Sequence, residues 1–235
     1  MQPTETPLNE LLLATRGQDL TEATYRRLLN MIQLGRIPTN VPLQERALAS
    51  ALGVSRTPLR EAFSRLVGGG FASRIGRGQL MVKEPTLHEY LEILHLRALL
   101  EGEAAFMATG NIPQAQVENV IQALQTHLQA RDFSAEENHR IDNLVHLTIA
   151  AHCGSAQMES LIFDLRIKAR TFDQNGSIAR FEPGCREHLQ LMECIRANDA
   201  NGARQAMAHH LTQVRASIVA RFTSLLPGSI TACKN

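Results

Sequence analysis

Along the first third of the chain the apolar positions recur in short helical phases. Tyr25, Leu28, Leu29 and Ile32 fall at helical intervals behind Asp19-Leu-Thr-Glu22, whose spacing is that of a capping box. This predicts a helix that stops near Gly35, with Pro38 just beyond. Leu43 precedes Leu48, Ala49 and Leu52, the apolar face of a second helix of about two turns. Gly53 breaks it, and Ser55 is placed to cap a third helix running to about Val67. Pro58 takes the third position of that helix, where its missing N–H is not needed by the ladder. The Ser55 hydroxyl is therefore expected on the amide of Thr57. Gly68-Gly69-Gly70 ends the helix, and Phe71 to Val82 reads as two short strands around Gly76-Arg77-Gly78.

After Lys83-Glu-Pro85 no alternation of period two remains, and six helical stretches follow. Thr86-Leu-His-Glu89 is a capping box for a helix that runs to Gly110. The next follows Pro113, with Val117, Val120, Ile121, Leu124 and Leu128 on one face. Ser134-Ala-Glu-Glu137 opens a third, which Gly154 closes. A fourth covers about 156–172, before Gln174-Asn-Gly-Ser177, and a fifth about 183–197. Asn198-Asp199 leads into a sixth that ends before Pro227-Gly228. The short connections favour an antiparallel bundle. The expected fold is mainly α, with an N-terminal winged helix-turn-helix over 18–84 and a C-terminal all-α antiparallel helix bundle over 85–228. Residues 1–17, with Leu11-Leu-Leu13, are a tail or arm, and 229–235 a C-terminal tail.

Composition narrows the class. With 44% apolar and 20% charged residues over 235 positions, an ordinary core can form, which excludes a disordered chain and a stapled mini-protein. No apolar run approaches the roughly 18 residues of a membrane span, and the polar, acidic start Met1–Glu10 is unlike a signal peptide. A cytoplasmic chain with no membrane partner is expected. Cys153, Cys185, Cys194 and Cys233 form no C-x-x-C pair, so reduced thiols are expected rather than a zinc ribbon or a thioredoxin motif. The net charge of +1 conceals a split: residues 1–84 hold 11 basic and 7 acidic side chains, residues 85–235 hold 13 and 16. Between Arg46 and Lys83 seven basic residues are opposed only by Glu61, a local charge that attracts phosphate backbones. All nine histidines lie beyond Pro85.

A winged helix sets the second helix of its motif in the major groove and its wing near the minor groove or backbone. Arg56 and Arg60, four apart, leave the same face of that helix. An arginine fork matches two acceptors on guanine, and Thr57 is short enough to reach a base edge or a phosphate. Arg46, on the preceding helix, is placed for a second base or a phosphate. Glycine at the wing tip lets the backbone approach the sugar-phosphate chain. Singly, each arginine also reads as part of a solvated helix face; the constellation favours DNA.

Leu43-Gln-Glu-Arg-Ala-Leu-Ala49, followed by Leu52-Gly-Val-Ser-Arg-Thr-Pro-Leu-Arg-Glu-Ala62, resembles the DNA-binding domain of the GntR family of bacterial transcription regulators. The resemblance implies DNA contact at Arg46, Ser55, Arg56, Thr57, Arg60 and Gly78, with Arg77 beside the last in the wing tip. The chain departs from the pattern where the usual Pro-Gly is Thr39-Asn40, where the usual cap Ser is Gln44, and where the usual Leu after the glycines is Phe71.

In the second half Asp142 and His146 share a helix face, His188 lies on the fifth helix and His210 on the sixth. Inward side chains from three helices of a bundle can converge on one cation. Three imidazoles and a carboxylate suit Zn²⁺, and also Ni²⁺, Mn²⁺ or Fe²⁺ where water completes the shell. Spacing alone does not choose the ligands, because His139 lies near the Asp142 face and His209 adjoins His210, and a lone histidine on an apolar face is commonly a core residue. The half also resembles the FCD ligand-binding domain of FadR-type GntR regulators, in a six-helix, VanR-like form. The matching pieces are Leu96-Arg-Ala-Leu-Leu-Glu101, Asp142-Asn-Leu-Val-His146, and Glu187-His188 through Asp199 to Met207-Ala-His-His-Leu211. This resemblance implies Asp142, His146, His188 and His210 as metal ligands and Arg97 as an anchor for an acidic effector. The plainer reading of Arg97 is an ion pair with Glu101, and the two can coexist.

Together these readings describe a homodimeric regulator, a repressor before an activator, that reads an inverted repeat in double-stranded DNA and senses a small carboxylate or sugar acid. An enzyme is not expected. The alternatives are a metal-dependent hydrolase fused to a DNA-binding head and a regulator whose metal is purely structural. Against the hydrolase, no H-E-x-x-H occurs, and Glu187, the local candidate for a general base, is expected on a different helix face from His188.

Overall fold

The computed structural model describes residues 20–76, 79–130, 134–172 and 180–224. The chain divides between Glu84 and Pro85 into two compact units. In the first, α1 (Leu20–Gln33), β1 (Pro42–Leu43), α2 (Glu45–Leu52), α3 (Arg56–Gly68), β2 (Ala72–Ile75) and β3 (Gln79–Val82) follow in order. The sheet runs β1-β3-β2, antiparallel throughout, with Pro42 opposite Met81 and Ala72 opposite Val82. Leu28, Leu29 and Ile32 of α1 are buried where that helix packs along α3, whose Leu59, Phe63 and Leu66 are also buried.

Two glycines shape this unit. Gly53 closes α2 at φ 67°, a left-handed conformation that an L side chain resists, so the chain turns directly into α3. At Gly69 a Cβ would stand 2.8 Å from a ring carbon of Phe71, so the helix exit has room only for hydrogen there.

The local pattern needs two corrections here. Ser55 sits at the N-cap of α3 in extended conformation, but its side chain makes no capping bond, to Thr57 or otherwise. Pro58 removes the third-position donor that a cap hydroxyl usually reaches, and the exposed side chain stays in solvent. The two-residue β1 was not anticipated, being too short to carry a periodic signal. Its approach is held by Asn40, at φ 58°, whose side-chain amide donates to Glu84 at 2.8 Å. Asparagine tolerates that backbone region, which accounts for a turn without the usual Pro-Gly. Asp19, the proposed cap of α1, and the arm at 1–17 lie outside the described residues.

The second unit comprises α4 (Leu87–Ala108), α5 (Gln114–Gln129), α6 (Ala135–His152), α7 (Ala156–Phe172), α8 (Phe181–Arg196) and α9 (Ala200–Ser224). Thr86 and Glu89 form the expected reciprocal capping box, and the Ser134 hydroxyl accepts from the Glu137 amide at 3.0 Å. α8 begins two residues earlier than the pattern suggested, which sets Pro183 third in its helix, as Pro58 is in α3. On α5, Val117, Val120, Ile121 and Leu124 are buried as expected; His127 is buried with them, whereas Leu128 is only half-buried. α4 packs along α9 and also against α6 and α7, around Leu94, Ile141, Ile149, Ile162 and Leu191. Cys153, Cys185 and Cys194 are free thiols, and Cys233 lies outside the described residues. The loop at Gln174–Ser177, Pro227-Gly228 and residues 229–235 also fall outside them. Among the described residues no helix is long and apolar enough to cross a membrane.

Leu66→Ala should destabilise the first unit by about 2–5 kcal/mol, the cost of emptying a closed core position. Ser55→Ala should change stability by less than about 0.5 kcal/mol, because no bond is lost. Denaturant titration checks both; a loss near 1 kcal/mol in Ser55→Ala would restore its capping role.

Candidate functional site

Three helices bring Asp142 and His146 (α6), His188 (α8) and His210 (α9) together, with one ligand atom from each lying within 4.8 Å of all the others. His188 Nε2 stands 3.1 Å from His146 Nε2 and 3.2 Å from His210 Nε2. Asp142 Oδ1 lies 3.6 Å from His146 Nε2 and 3.8 Å from His188 Nε2. His209 is exposed and His139 is not part of the group, so the geometry separates the ligand set from the two neighbours that spacing left open.

The orientation of the rings comes from two carboxylates. His146 Nδ1 donates to Glu101 of α4, and His210 Nδ1 donates to Glu187 of α8 at 2.8 Å. With the proton on Nδ1, each Nε2 carries a lone pair that points at His188. His188 can donate to one of them, not to both, so these close contacts are not a satisfied hydrogen-bond network. A cation between them turns the repulsion into coordination. Metal–nitrogen bonds of ~2.0–2.1 Å put ligand atoms about 3.3 Å apart in a tetrahedron and about 2.9 Å apart along an octahedral edge. The observed 3.1 and 3.2 Å lie between the two. The donor set therefore fits a divalent metal.

The surrounding charges are paired. Arg97 is buried and its Nε donates to Glu101 at 2.5 Å, so the ion pair with Glu101 is real and coexists with the position of Arg97 on the wall of a cavity. Arg166 of α7 donates from Nη2 to Asp142 and to Asn143, both at 2.6 Å, while its buried Nε and Nη1 find no hydrogen-bond acceptor among the described residues. Burial works against charge on Glu101 and Asp142. For Glu101, Arg97, His146 and Arg166 outweigh it, and for Asp142, Arg166, His146 and His188 do, so both carboxyls stay far below their usual range. Burial holds His188 well below the ordinary imidazole value, and His210 below it too, although Glu187 pulls the other way. His188 and His210 are thus held neutral and the carboxylates ionised, the protonation states that bind metal.

Beside the cluster lies a cavity of about 170 Å³ walled by Tyr90, Arg97, His139, Asp142, Arg166 and Arg180, among others. The side chain of Asp142 keeps 36% of its surface because it faces this space.

Sequence reasoning missed the parts that Glu101, Arg166 and Glu187 play at the cluster. Glu187, one position before His188 on α8, reaches across to His210, with Arg180 as its second partner. The i+4 spacing of Arg97 and Glu101 was visible as an ion pair, without its link to His146. Arg166 falls in the buried phase of α7 between Ile162 and Ala169, a position where an arginine signals an internal partner.

In the first unit Arg46, Ser55, Arg56, Thr57 and Arg60 are all exposed, on α2, at the turn and on α3. Arg60 Nε is ion-paired with Glu45 at 2.9 Å, which steadies the side chain and leaves its terminal nitrogens outward. Arg77 and Gly78 lie outside the described residues.

The fold is similar to that of solved structures. E. coli McbR/YncC matches with a TM-score of 0.76 at 23% identity, over 87% of this chain and 99% of that one. The chain belongs to the GntR family of transcription regulators in its FCD-domain form. Residues 20–82 match the model described as bacterial regulatory proteins, gntR family, and residues 92–213 match the FCD domain. Among curated relatives, HTH-type transcriptional repressor RspR of Escherichia coli (strain K12) is 26% identical over 86% of this chain and 90% of its own length. The "Probable D-xylose utilization operon transcriptional repressor" of Paenarthrobacter nicotinovorans is 26% identical over 77% and 80%. The family and these relatives are regulators, not enzymes.

Because His188 and His210 have depressed values in the folded chain, the unfolded chain takes up protons first as pH falls below about 6.5. Their contribution to stability is complete above that pH and is lost below it. Asp142, Glu101 and Glu187 add a further loss below about pH 4.5. The Tm of the metal-free second unit should therefore fall between about pH 7 and 5. A flat profile over that range would mean that the imidazoles take up protons as readily in the folded chain as in the unfolded one.

Proposed function

We propose that this protein is a homodimeric repressor that reads an inverted-repeat operator through α3 and its wing and responds to a small carboxylate or sugar acid bound at a metal centre in the second unit. Four ligands of one buried cluster opening on an arginine-walled cavity are the observation that carries this reading. Asp142, His146, His188 and His210 would hold the metal, Zn²⁺ before Ni²⁺, Mn²⁺ or Fe²⁺, on the chemistry of three imidazoles and one carboxylate. The metal supplies a Lewis-acidic position for a ligand oxygen. Arg97 and Arg166 line the wall with guanidinium groups, so an occupant rich in acceptors is favoured. Both relatives named above are repressors, and one is named for a sugar-utilisation operon, which supports the sign and the ligand class proposed.

Arg46, Arg56, Thr57 and Arg60 are the residues assigned to base and phosphate contact, with Ser55, Arg77 and Gly78 at the turn and wing. The effector changes operator affinity only in so far as it binds one arrangement of the dimer better than another.

Selection of random duplex DNA by the zinc-loaded protein at about 0.15 M salt should enrich an inverted repeat, since non-specific phosphate binding is weakened there; absence of any enriched motif would overturn the reading. Arg56→Ala should weaken specific binding by about 1–3 kcal/mol in a titration of that operator, and unchanged affinity would remove Arg56 from the groove. His188→Ala should lower the bound metal per chain, measured by elemental analysis, and full occupancy would refute its ligand role.

A further inference from the structure

His139 of α6 lines the cavity but lies outside the metal cluster, and its hydrogen bonds determine which proton it carries. Arg166 can only donate, and its Nη2 lies 2.6 Å from the side-chain oxygen of Asn143. The amide of Asn143 is therefore oriented with its oxygen toward Arg166 and its nitrogen toward His139, whose Nε2 is 3.0 Å away. An amide nitrogen donates, so Nε2 accepts, and the proton of a neutral ring sits on Nδ1. Burial keeps the ring neutral: it pushes His139 down to about 4, aided by Arg170, Arg166 and Arg97 and only partly opposed by Asp142. Nδ1–H makes no bond to another described residue, and it is the one polar group of this side chain left for an occupant of the cavity.

Charge sets the class of that occupant. Around the site Glu101, Asp142 and Glu187 are matched one for one by Arg97, Arg166 and Arg180. A divalent cation among neutral imidazoles then adds two positive charges that no side chain of this group balances, which favours a dianion.

We infer that His139 is a second recognition residue of this cavity, holding Nδ1–H toward the far carboxylate of a small dicarboxylate whose near carboxylate meets the metal and Arg97. This rests on the carboxylate-sensing reading above. His139 is here a specificity residue: it distinguishes two acceptor groups from one.

The test uses the full-length, zinc-loaded protein. Calorimetric titration compares malonate, succinate and glutarate with propionate, butyrate and valerate, their partners in carbon count. At least one diacid should bind about tenfold or more tightly than its partner, the worth of a hydrogen bond to a charged group. His139→Leu should abolish that preference. Long-range ¹H–¹⁵N spectra of the unliganded wild-type protein should show His139 protonated at Nδ1, a readout independent of ligand and of how the variant folds. A proton on Nε2, a diacid preference that survives in His139→Leu, or equal binding of monoacids and diacids would each overturn the inference while leaving the carboxylate reading in place. Failure of every acid to bind would overturn the carboxylate reading, and the inference with it.

Discussion

The bonds from His146 Nδ1 to Glu101 and from His210 Nδ1 to Glu187 decide where two Nε2 lone pairs point, and much of the second unit serves to keep them there. Imidazole donors orient well only when the opposite nitrogen is tied to an acceptor, here two carboxylates on two different helices. Each carboxylate must then be kept ionised out of water. Removing an ion from water costs several kcal/mol, and breaking one partner of a buried pair costs about 3–5 kcal/mol, so every charge near the centre needs its own counter-charge. Arg97 serves Glu101, Arg166 serves Asp142, and Arg180 serves Glu187. The outcome is a shell of paired ions around the imidazole rings.

That shell fixes how the helices must pack. α4 carries Arg97 and Glu101 one turn apart, and α6 carries Asp142 and His146 in the same relation, so each supplies two members from one face. α7 contributes only Arg166, yet that side chain joins α7 to α6 through Asp142 and Asn143 and approaches Glu101 of α4 at 3.9 Å. Apolar contacts such as Leu94, Ile149 and Leu191 supply the bulk of the burial. They are tolerant of small shifts; a ring of charges and lone pairs is not. The polar centre therefore sets register, and the apolar residues supply cohesion.

Much of this was legible in the chain. Periodicity located the helices of the described residues, because each buries a face, and in several the end is marked as well; Thr86 with Glu89 and Gly53 are clear cases. Arg56 and Arg60 stood out as candidates for DNA contact because charge and spacing coincide on one short helix. The four members of the cluster could be chosen only with the family resemblance, since His139 and His209 fit the spacing as well. Glu101, Arg166 and Glu187 were not legible, and the reason is physical. Their role depends on which helix stands opposite, a relation set by three-dimensional packing across separations of 23 to 45 residues. A local pattern shows that a charge lies in a buried phase, but not what neutralises it. The absence of a capping bond at Ser55 was hidden in a similar way: sequence offers a hydroxyl at the right place, and solvent competes for it.

The same energetics assign different roles to metal and ligand. Binding of a structural metal by such donor sets is worth about 10–16 kcal/mol in small zinc domains, enough to stay saturated over any ordinary change in free metal. A component that is always bound carries no signal. Four protein ligands with one of them, Asp142, facing the cavity leave the exchangeable partner on that side alone. In the proposed reading the metal is therefore part of the receptor, and the anion that completes its shell is the variable. Since linkage is reciprocal, operator DNA must shift the affinity of that anion by the factor with which the anion shifts the affinity for operator. The paired shell matters here too: with its own ions already matched, the excess charge that would meet an incoming dianion comes from the metal, so in this reading the metal must be in place before the centre can select its ligand.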